Sequence, residues 1–358
     1  MGLEPRARVA GADVGQVIMS HVIHTEPKDM YLSRVSAIAA GVSHSVPALT
    51  LNRLCGSGMQ AVVNAHEQIL LGNAEIAVAG GAESMSRAEH LVTAIRSGQK
   101  MGVVGAADLM VGALTDPFGN GHMGMTAENI ADRNGIRRAT QDAVALESHR
   151  RAARAISEGR FASQIVPVTV KHGRTEAVFD TDENVRVGLK TEDLAKLRPA
   201  FRKEGSVTAG NSSGINDGAA ALVLMDEETA EARGVEPLAR IMATGLCAVA
   251  PEVMGLGPIP ASIQALSRAE LAVADLDLIE SNEAFAAQSS AVSDGLGLDP
   301  IKTNPNGGAI AIGHPIGASG GVILTKLVHE LKRTGGRYGL ATMCIGGGQG
   351  IAVMVERM

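Results

Sequence analysis

Aromatic side chains are nearly missing from this chain: 2% of its 358 residues, with no Trp, 2 Tyr and 5 Phe. An interior without rings has to be filled by Ala, Val, Ile, Leu and Met. The 43 glycines let backbones approach closely, a profile that suits layered α/β packing better than an aromatic-rich sandwich. Cysteine is scarce too, and its three copies have no regular spacing, so neither a disulfide framework nor a metal site is expected. A net charge of −6 with no basic cluster gives no electrostatic footprint for nucleic acid. No apolar run approaches the roughly 18 residues that cross a bilayer. The opening Met-Gly-Leu-Glu-Pro-Arg is not expected to serve as a secretory leader, and Arg6 stands where a myristoylation signal wants Ser or Thr. These absences lead to the expectation of a soluble, cytoplasmic, globular protein, long enough for two or three domains.

What the chain does have is glycine around two of its thiols. Cys55 lies in Leu-Asn-Arg-Leu-Cys-Gly-Ser-Gly and Cys344 in Met-Cys-Ile-Gly-Gly-Gly-Gln-Gly. Glycine lets backbone N–H groups approach a reacting atom with no Cβ in the way. An apolar strand precedes Cys55 and an amphipathic helix follows it, so its sulfur is expected at a helix N-terminus that favours the thiolate. Cys344 ends a strand and enters either a simple tight hairpin or a site. Cys247 has no comparable context and reads as core filling. His314, in Gly-Ala-Ile-Ala-Ile-Gly-His-Pro-Ile-Gly, is placed before another helix, and imidazole is the natural acceptor for a thiol proton near neutral pH. Asn282 directly follows a strand and either caps the next helix or positions a water or an oxyanion. Around His122, Gly119, Gly121 and Gly124 match a dinucleotide fingerprint, but no clean strand precedes them and that reading is rejected.

Apolar periodicity gives two similar series. In the second half, strands are expected at 238–244, 276–280, 338–344 and 351–356, with helices at 261–272 and 283–296 and a third marked by Val322, Ile323, Leu327, Val328 and Leu331. In the first half, strands are expected at 17–23, 48–54, 75–79 and 219–225. Its helices are expected at 30–40, capped by Asp29, and at 59–71, where Met59, Val62, Val63, His66, Ile69 and Leu70 form the buried stripe. A more polar, irregular stretch from 84 to 216 interrupts the series and reads as an insertion folded over the core.

Together these segments resemble the thiolase family over essentially the whole chain. The resemblance rests on Leu-Cys-Gly-Ser-Gly, Gly-His-Met-Gly, Asn-Glu-Ala-Phe, Gly-His-Pro-Ile-Gly and Cys-Ile-Gly-Gly-Gly, in family order. It implies an α/β thiolase fold: duplicated βαβαβαββ halves in five αβαβα layers, divided into 1–84 with 216–236, a CoA-binding loop domain at 85–215, and 237–358. It implies an acyl-CoA acetyltransferase that cleaves 3-ketoacyl-CoA with CoA, or condenses acetyl-CoA with acyl-CoA, through an acyl-cysteine. Cys55 would be the nucleophile and His314 its activator, with Cys344 as acid and base. Asn282 would hold a water that joins His314 in an enolate oxyanion hole, Gly346 and Cys55 would supply N–H groups to the tetrahedral oxyanion, and His122 would line the acyl pocket. Ser213, Arg186, Phe201, Met123 and Phe285 match CoA-contacting positions, although Arg186 equally fits a solvated surface charge. Acetyl-CoA, CoA and 3-ketoacyl-CoA are then the partners, with no metal or redox cofactor, no nucleic acid and no membrane, in fatty acid metabolism. A homo-oligomer, a dimer or a dimer of dimers (a homotetramer), is implied.

The segment from His24 to Arg34 resembles bacterial broad-specificity 3-ketothiolases, and an acetoacetyl-CoA-specific biosynthetic thiolase is the alternative. A decarboxylating ketoacyl synthase lacks the second cysteine, and a non-catalytic CoA-binding homologue would not keep all five catalytic positions. Finally, the first series begins at what matches the second strand of the other. The chain is therefore expected to be about 30 residues short at its start relative to the family, with 7–11 the tail of a helix. The missing strand is expected inside the sheet, at a cost of about 1–3 kcal/mol per buried group left unpaired. A true start upstream is expected, or else poor stability and weak activity.

Overall fold

A computed structural model of the chain describes residues 7–173 and 175–358. The first half contains β1 (Gln16–Ser20), α1 (Leu32–Ala39), β2 (Ala48–Leu51), α2 (Ser57–Leu70), β3 (Ile76–Ser84) and, far along the chain, β4 (Asp217–Met225). These strands form one sheet in the order β4-β3-β1-β2, with β1 parallel to β2 and β3 and β4 antiparallel to β3. Between β3 and β4 the insertion carries α3 (Met123–Asn134), α4 (Arg138–Ser157) and an exposed hairpin of Val168–His172 with Thr175–Phe179. The second half follows as β5 (Ala239–Ala248), α5 (Pro258–Arg268), β6 (Leu278–Ser281), α6 (Ala286–Leu296), α7 (Ser319–Thr334), β7 (Tyr338–Ile345) and β8 (Gln349–Arg357). Its sheet runs β5-β8-β7-β6, so β8, β7 and β6 repeat the places of β4, β3 and β1.

Strand alternation builds the layers. Along β7, Ala341, Met343 and Ile345 face a core shared with Ile18, Met59, Val62, Leu324 and Leu327, while Leu340 faces the outer cluster of Ala261, Ala265 and Leu276. In the first sheet Ile18, Ala77 and Ala79 face the same central core, while Val17, Met19, Ile76 and Val78 face outward onto Ala37 of α1. The sequence of layers is α1, first sheet, α2 with α7, second sheet, α5 with α6. Strands covered on both faces read as unbroken apolar runs, which is why β7 is so readily seen in the sequence.

Three expectations are corrected here. Leu70 lies outside the buried stripe of α2 at 71% exposed, because the last turn projects beyond the sheet. Asp29 does not cap a helix at 30. It sits inside a short 3-10 turn, and its carboxylate accepts from Thr25 and Glu26 N–H, with α1 starting at Leu32. The interior place expected for a missing strand is also wrong. Among the described residues β5 pairs with β8 alone, at the outer edge of its sheet, so its counterpart in the first half would flank β4 at an edge rather than divide the core. Ala7 is helical and packs under the first sheet, and the residues before it lie outside the described ones.

Candidate active site

The turn between β2 and α2 presents Cys55. Leu54 takes a left-handed conformation (φ 47°), held by Asn52 Oδ1, which accepts from Leu54 N at 2.8 Å. Ser57 Oγ accepts from Arg53 N at 2.7 Å and donates to Leu54 O at 2.6 Å, so the turn is tied on both sides. From the other half, β7 brings Cys344, which is 1% exposed, and its hairpin brings Gly346. The N–H groups of Gly346 and of Cys55 itself point at Cys55 Sγ. A Cβ on residue 346 would come within 2.9 Å of Met123 Cε, so a larger residue there would have to displace the methionine end.

Burial pushes the Cys55 thiol up to about 11, against the pull of the Gly346 N–H. The expected thiolate at a helix N-terminus is thus corrected: desolvation outweighs the helix end, and the sulfur rests as a thiol. Cys344 is driven higher still, by burial first and by the neighbouring Cys55 second, which also shows the two sulfurs are close.

His314 is 5% exposed, and burial brings it down to about 4, so the ring is neutral. Its tautomer follows from its partners. Ser319 Oγ spends its proton on Pro315 O at 2.8 Å, so His314 Nδ1 must donate to that oxygen across 2.6 Å. Nε2 is left as a buried lone pair with no protein partner. Asn216 Oδ1 accepts from His314 N at 3.0 Å and fixes the loop.

Asn282 follows β6, and its N–H donates to Thr342 O on β7 at 2.9 Å. The side chain is 1% exposed, yet neither amide atom has a protein partner. Asn304 holds this turn by accepting from Ser281 N and donating to Ser281 O and Glu283 Oε1. His122 starts α3, and its Nδ1 accepts from Gly124 N at 3.1 Å, which puts the ring proton on Nε2. Its ring stacks on Phe201 at 4.7 Å, and Phe201 meets Phe285 edge-on at 6.1 Å. Met123, Phe285 and Cys344 share one buried cluster with Phe201 against it.

Ser213 and Arg186 are not joined to that cluster by side-chain contacts. Ser213 N donates to Ala284 O, beside Phe285. Arg186, exposed, stands on a small cavity of about 50 Å³ with His149, Asn184, Leu189 and Ser212. Among the described residues no His, Cys, Asp and Glu group gathers to hold a metal ion. The residues that position this site but escaped the sequence reading are Ser319, Asn216, Asn304 and Glu83. Asn216, Asn304 and Glu83 work through backbone groups of a distant segment and Ser319 through the His314 ring five residues before it. Only Glu83, in Gly-Gly-Ala-Glu, carried a visible cue: a charge in a run of small residues at a strand end.

With this geometry in hand, comparison with known proteins places the chain. Residues 3–228 match the thiolase N-terminal domain and residues 235–357 the thiolase C-terminal domain. A "Beta-ketothiolase BktB" of Cupriavidus necator is 58% identical over 354 residues, 99% of this chain and 90% of that protein. An acetyl-CoA acetyltransferase of Shinella zoogloeoides is 50% identical over 354 residues, again 99% and 90%. The human mitochondrial 3-ketoacyl-CoA thiolase, solved in complex with CoA, superposes with a TM-score of 0.96 at 43% identity, covering 99% of this chain and 89% of that one. The chain belongs to the thiolase family. It is an enzyme, an acyl-CoA acetyltransferase of the 3-ketoacyl-CoA thiolase kind.

Proposed function

We propose that Cys55, His314, Cys344 and Asn282 carry out this reaction as a metal-free acyl transfer with CoA and acyl-CoA as substrates. The observation that carries the reading is the approach of Cys344 and the Gly346 N–H to Cys55 Sγ, together with two buried groups in the second half that have no protein partner, His314 Nε2 and the Asn282 amide. In cleavage, His314 Nε2 takes the Cys55 proton and the thiolate adds to C3 of the 3-ketoacyl-CoA, whose oxygen takes the charge beneath the N–H groups of Cys55 and Gly346. The C2–C3 bond breaks, its electron pair leaves as the acetyl-CoA enolate, and Cys344 protonates C2. His314, now bearing a proton on Nε2, and a water on Asn282 meet the enolate oxygen. CoA then gives its thiol proton to the Cys344 thiolate, adds to the acyl-Cys55 thioester and releases Cys55, which regains its proton from His314. Every step moves a proton or an acyl group, so no electron carrier enters the balance.

His122, Met123, Phe201 and Phe285 would line the acyl and pantetheine channel, with Ser213 and Arg186 at the nucleotide end. The greater identity to the beta-ketothiolase, 58%, than to the acetyl-CoA acetyltransferase, 50%, supports a broad-specificity 3-ketothiolase over an acetoacetyl-CoA-specific one. Cytoplasmic residence in fatty acid metabolism and a homo-oligomeric state, dimer or tetramer, complete the proposal. No described helix is long and apolar enough to cross a membrane. Incubation with acetyl-CoA followed by peptide mass spectrometry tests the assignment: an acetyl group is expected on Cys55, and one found only on Cys247 or Cys344 would sink it.

A further inference from the structure

Glu83 takes no part in the steps above, yet its side chain is completely buried beside them. It stands near the end of β3, and its two oxygens accept three backbone N–H groups: Val22 at 3.2 Å, Ile23 at 3.1 Å and Gly317 at 2.9 Å. The first two belong to the loop after β1. The third lies three residues beyond His314 and 234 positions away in the chain. We propose that Glu83 is a positioning residue: it fixes the loop that carries His314 against the first half of the molecule and sets a negative charge beside Cys55.

The clamp has a second jaw. Ser20 Oγ lies 2.5 Å from Gly317 O, so both peptide groups flanking this residue are held by the other half. The fit is close, since a Cβ on residue 317 would come within 2.7 Å of Glu83 Oε2 and 3.1 Å of Ala82 O and would press on the clamp itself. A Cβ on Gly81 would strike Gly317 O. Ile316, 2% exposed, packs with Ile23 and Met85 in the same wall that Cys55 lies against, so the clamp, the nucleophile and the imidazole loop share one surface.

The charges around Cys55 and Glu83 come from every neighbouring element. His21, after β1, has Nδ1 3.5 Å from Glu83 Oε1 and Nε2 3.4 Å from Asp29 Oδ2. His314 enters from its loop and Cys344 from β7, while Arg53 turns aside to Gln349 Oε1 at 3.0 Å. Among these the Glu83 carboxylate opposes the Cys55 thiolate. A nucleophile so placed keeps its proton until a base is presented and is less stabilised once it loses it.

This inference rests on Cys55 and His314 acting as proposed above. Glu83→Gln keeps the shape, removes the charge and turns one acceptor into a donor facing an N–H. Thiolysis is expected to lose on the order of 10- to 100-fold in kcat, the scale of a misplaced catalytic group. KM for CoA should stay within about twofold, because no CoA contact is removed. The pH midpoint for iodoacetamide alkylation of Cys55 should fall as the opposing charge is lost. Ser20→Ala, which loosens the loop without changing charge, should lower kcat and leave that midpoint in place. Wild-type kcat in Glu83→Gln, or a lowered kcat with an unmoved midpoint, overturns the proposal. Should Glu83→Gln fail to fold, Glu83→Asp keeps the charge but shortens the reach, and wild-type kcat there overturns the clamp. Acetylation of wild-type Cys55 by acetyl-CoA is the control: its absence sinks the reading of the nucleophile, whereas its presence beside an indifferent Gln variant sinks only this inference.

Discussion

A thiol held near 11 and an imidazole held near 4 lie about 7 units apart, so as separate ionisations the transfer between them is about 10 kcal/mol uphill. Cys55 can therefore lose its proton to His314 only as a contact pair, in which thiolate and imidazolium attract each other in a site of low polarity. His314→Ala removes the only neutral base built into the C-terminal loop, and alkylation of Cys55 near neutral pH should slow markedly; unchanged kinetics would mean that the turn alone sets the thiolate population. Cys344→Ala should divide the reaction instead. Acetyl transfer to Cys55 needs no chemistry at an α-carbon and should survive, whereas condensation and thiolysis should fall about 10²- to 10⁴-fold with the loss of general acid–base catalysis. Equal losses in both half-reactions would make Cys344 a structural residue. The two thiols were legible because glycine marks the places where a backbone must come close to a reacting sulfur. Glu83 was not, because it acts on peptide groups of a loop 234 positions away, and Ser319 was not, because a single hydroxyl orienting an imidazole five residues before it leaves no periodic trace.

The helices of the middle layer show how far periodicity reaches. Val322, Ile323, Leu327, Val328 and Leu331 located α7, but a single apolar face describes a helix with solvent behind it. Lying between two sheets, α7 also buries Lys326 (3% exposed) and Glu330 (2% exposed). Lys326 Nζ donates to Glu280 Oε2 and to Gly307 O, both at 2.6 Å, joining α7 to β6 two residues before Asn282. Burial drives the Glu280 carboxyl up to about 7 even against this ammonium. Lys326→Met strands the carboxylate, and a loss of about 3–5 kcal/mol is expected in urea unfolding near pH 8. Near pH 6 the loss should be smaller, because a lone buried carboxyl takes up a proton. Adding Glu280→Leu should restore most of the stability, since two apolar groups replace the pair. A Lys326→Met loss that does not depend on pH would show that packing of the lysine stem, not its charge, is what matters.

Across the whole molecule, the duplicated β–α series was legible in the periodicity, because both repeats bury the same alternation of faces, whereas the five layers came from the family resemblance. The edge position of β5 did not follow, since strand order is decided by pairing between segments far apart in sequence. The same enclosed layers set how the fold responds to pH. Burial lowers both His314 and His149 to about 4, with Arg186 adding to the effect at His149. Between pH 6.5 and 4 the unfolded chain binds these protons and the folded one does not, so stability falls as pH falls, by up to about 3 kcal/mol for the fully enclosed His314. Glu280 works in the opposite sense, since the folded carboxyl keeps its proton down from about 7 while the unfolded one loses it above its ordinary value. Burial also raises Glu83 and Asp182, but His66 and His122 are lowered with the other two imidazoles, so four histidines stand against three carboxyls. On the alkaline side, Cys55 and Cys344 keep their protons in the fold above pH 9, where an unfolded thiol ionises, so stability falls again as pH rises. The expected profile is a dome with its top between about pH 6.5 and 8.5, the unfolded reference values of imidazole and thiol. Urea midpoints at pH 5, 7.5 and 10 measure it. His314→Gln should flatten the acid limb and Cys344→Ala the alkaline one, and a wild-type profile with no fall at pH 5 would show that the two imidazoles are not held neutral by burial.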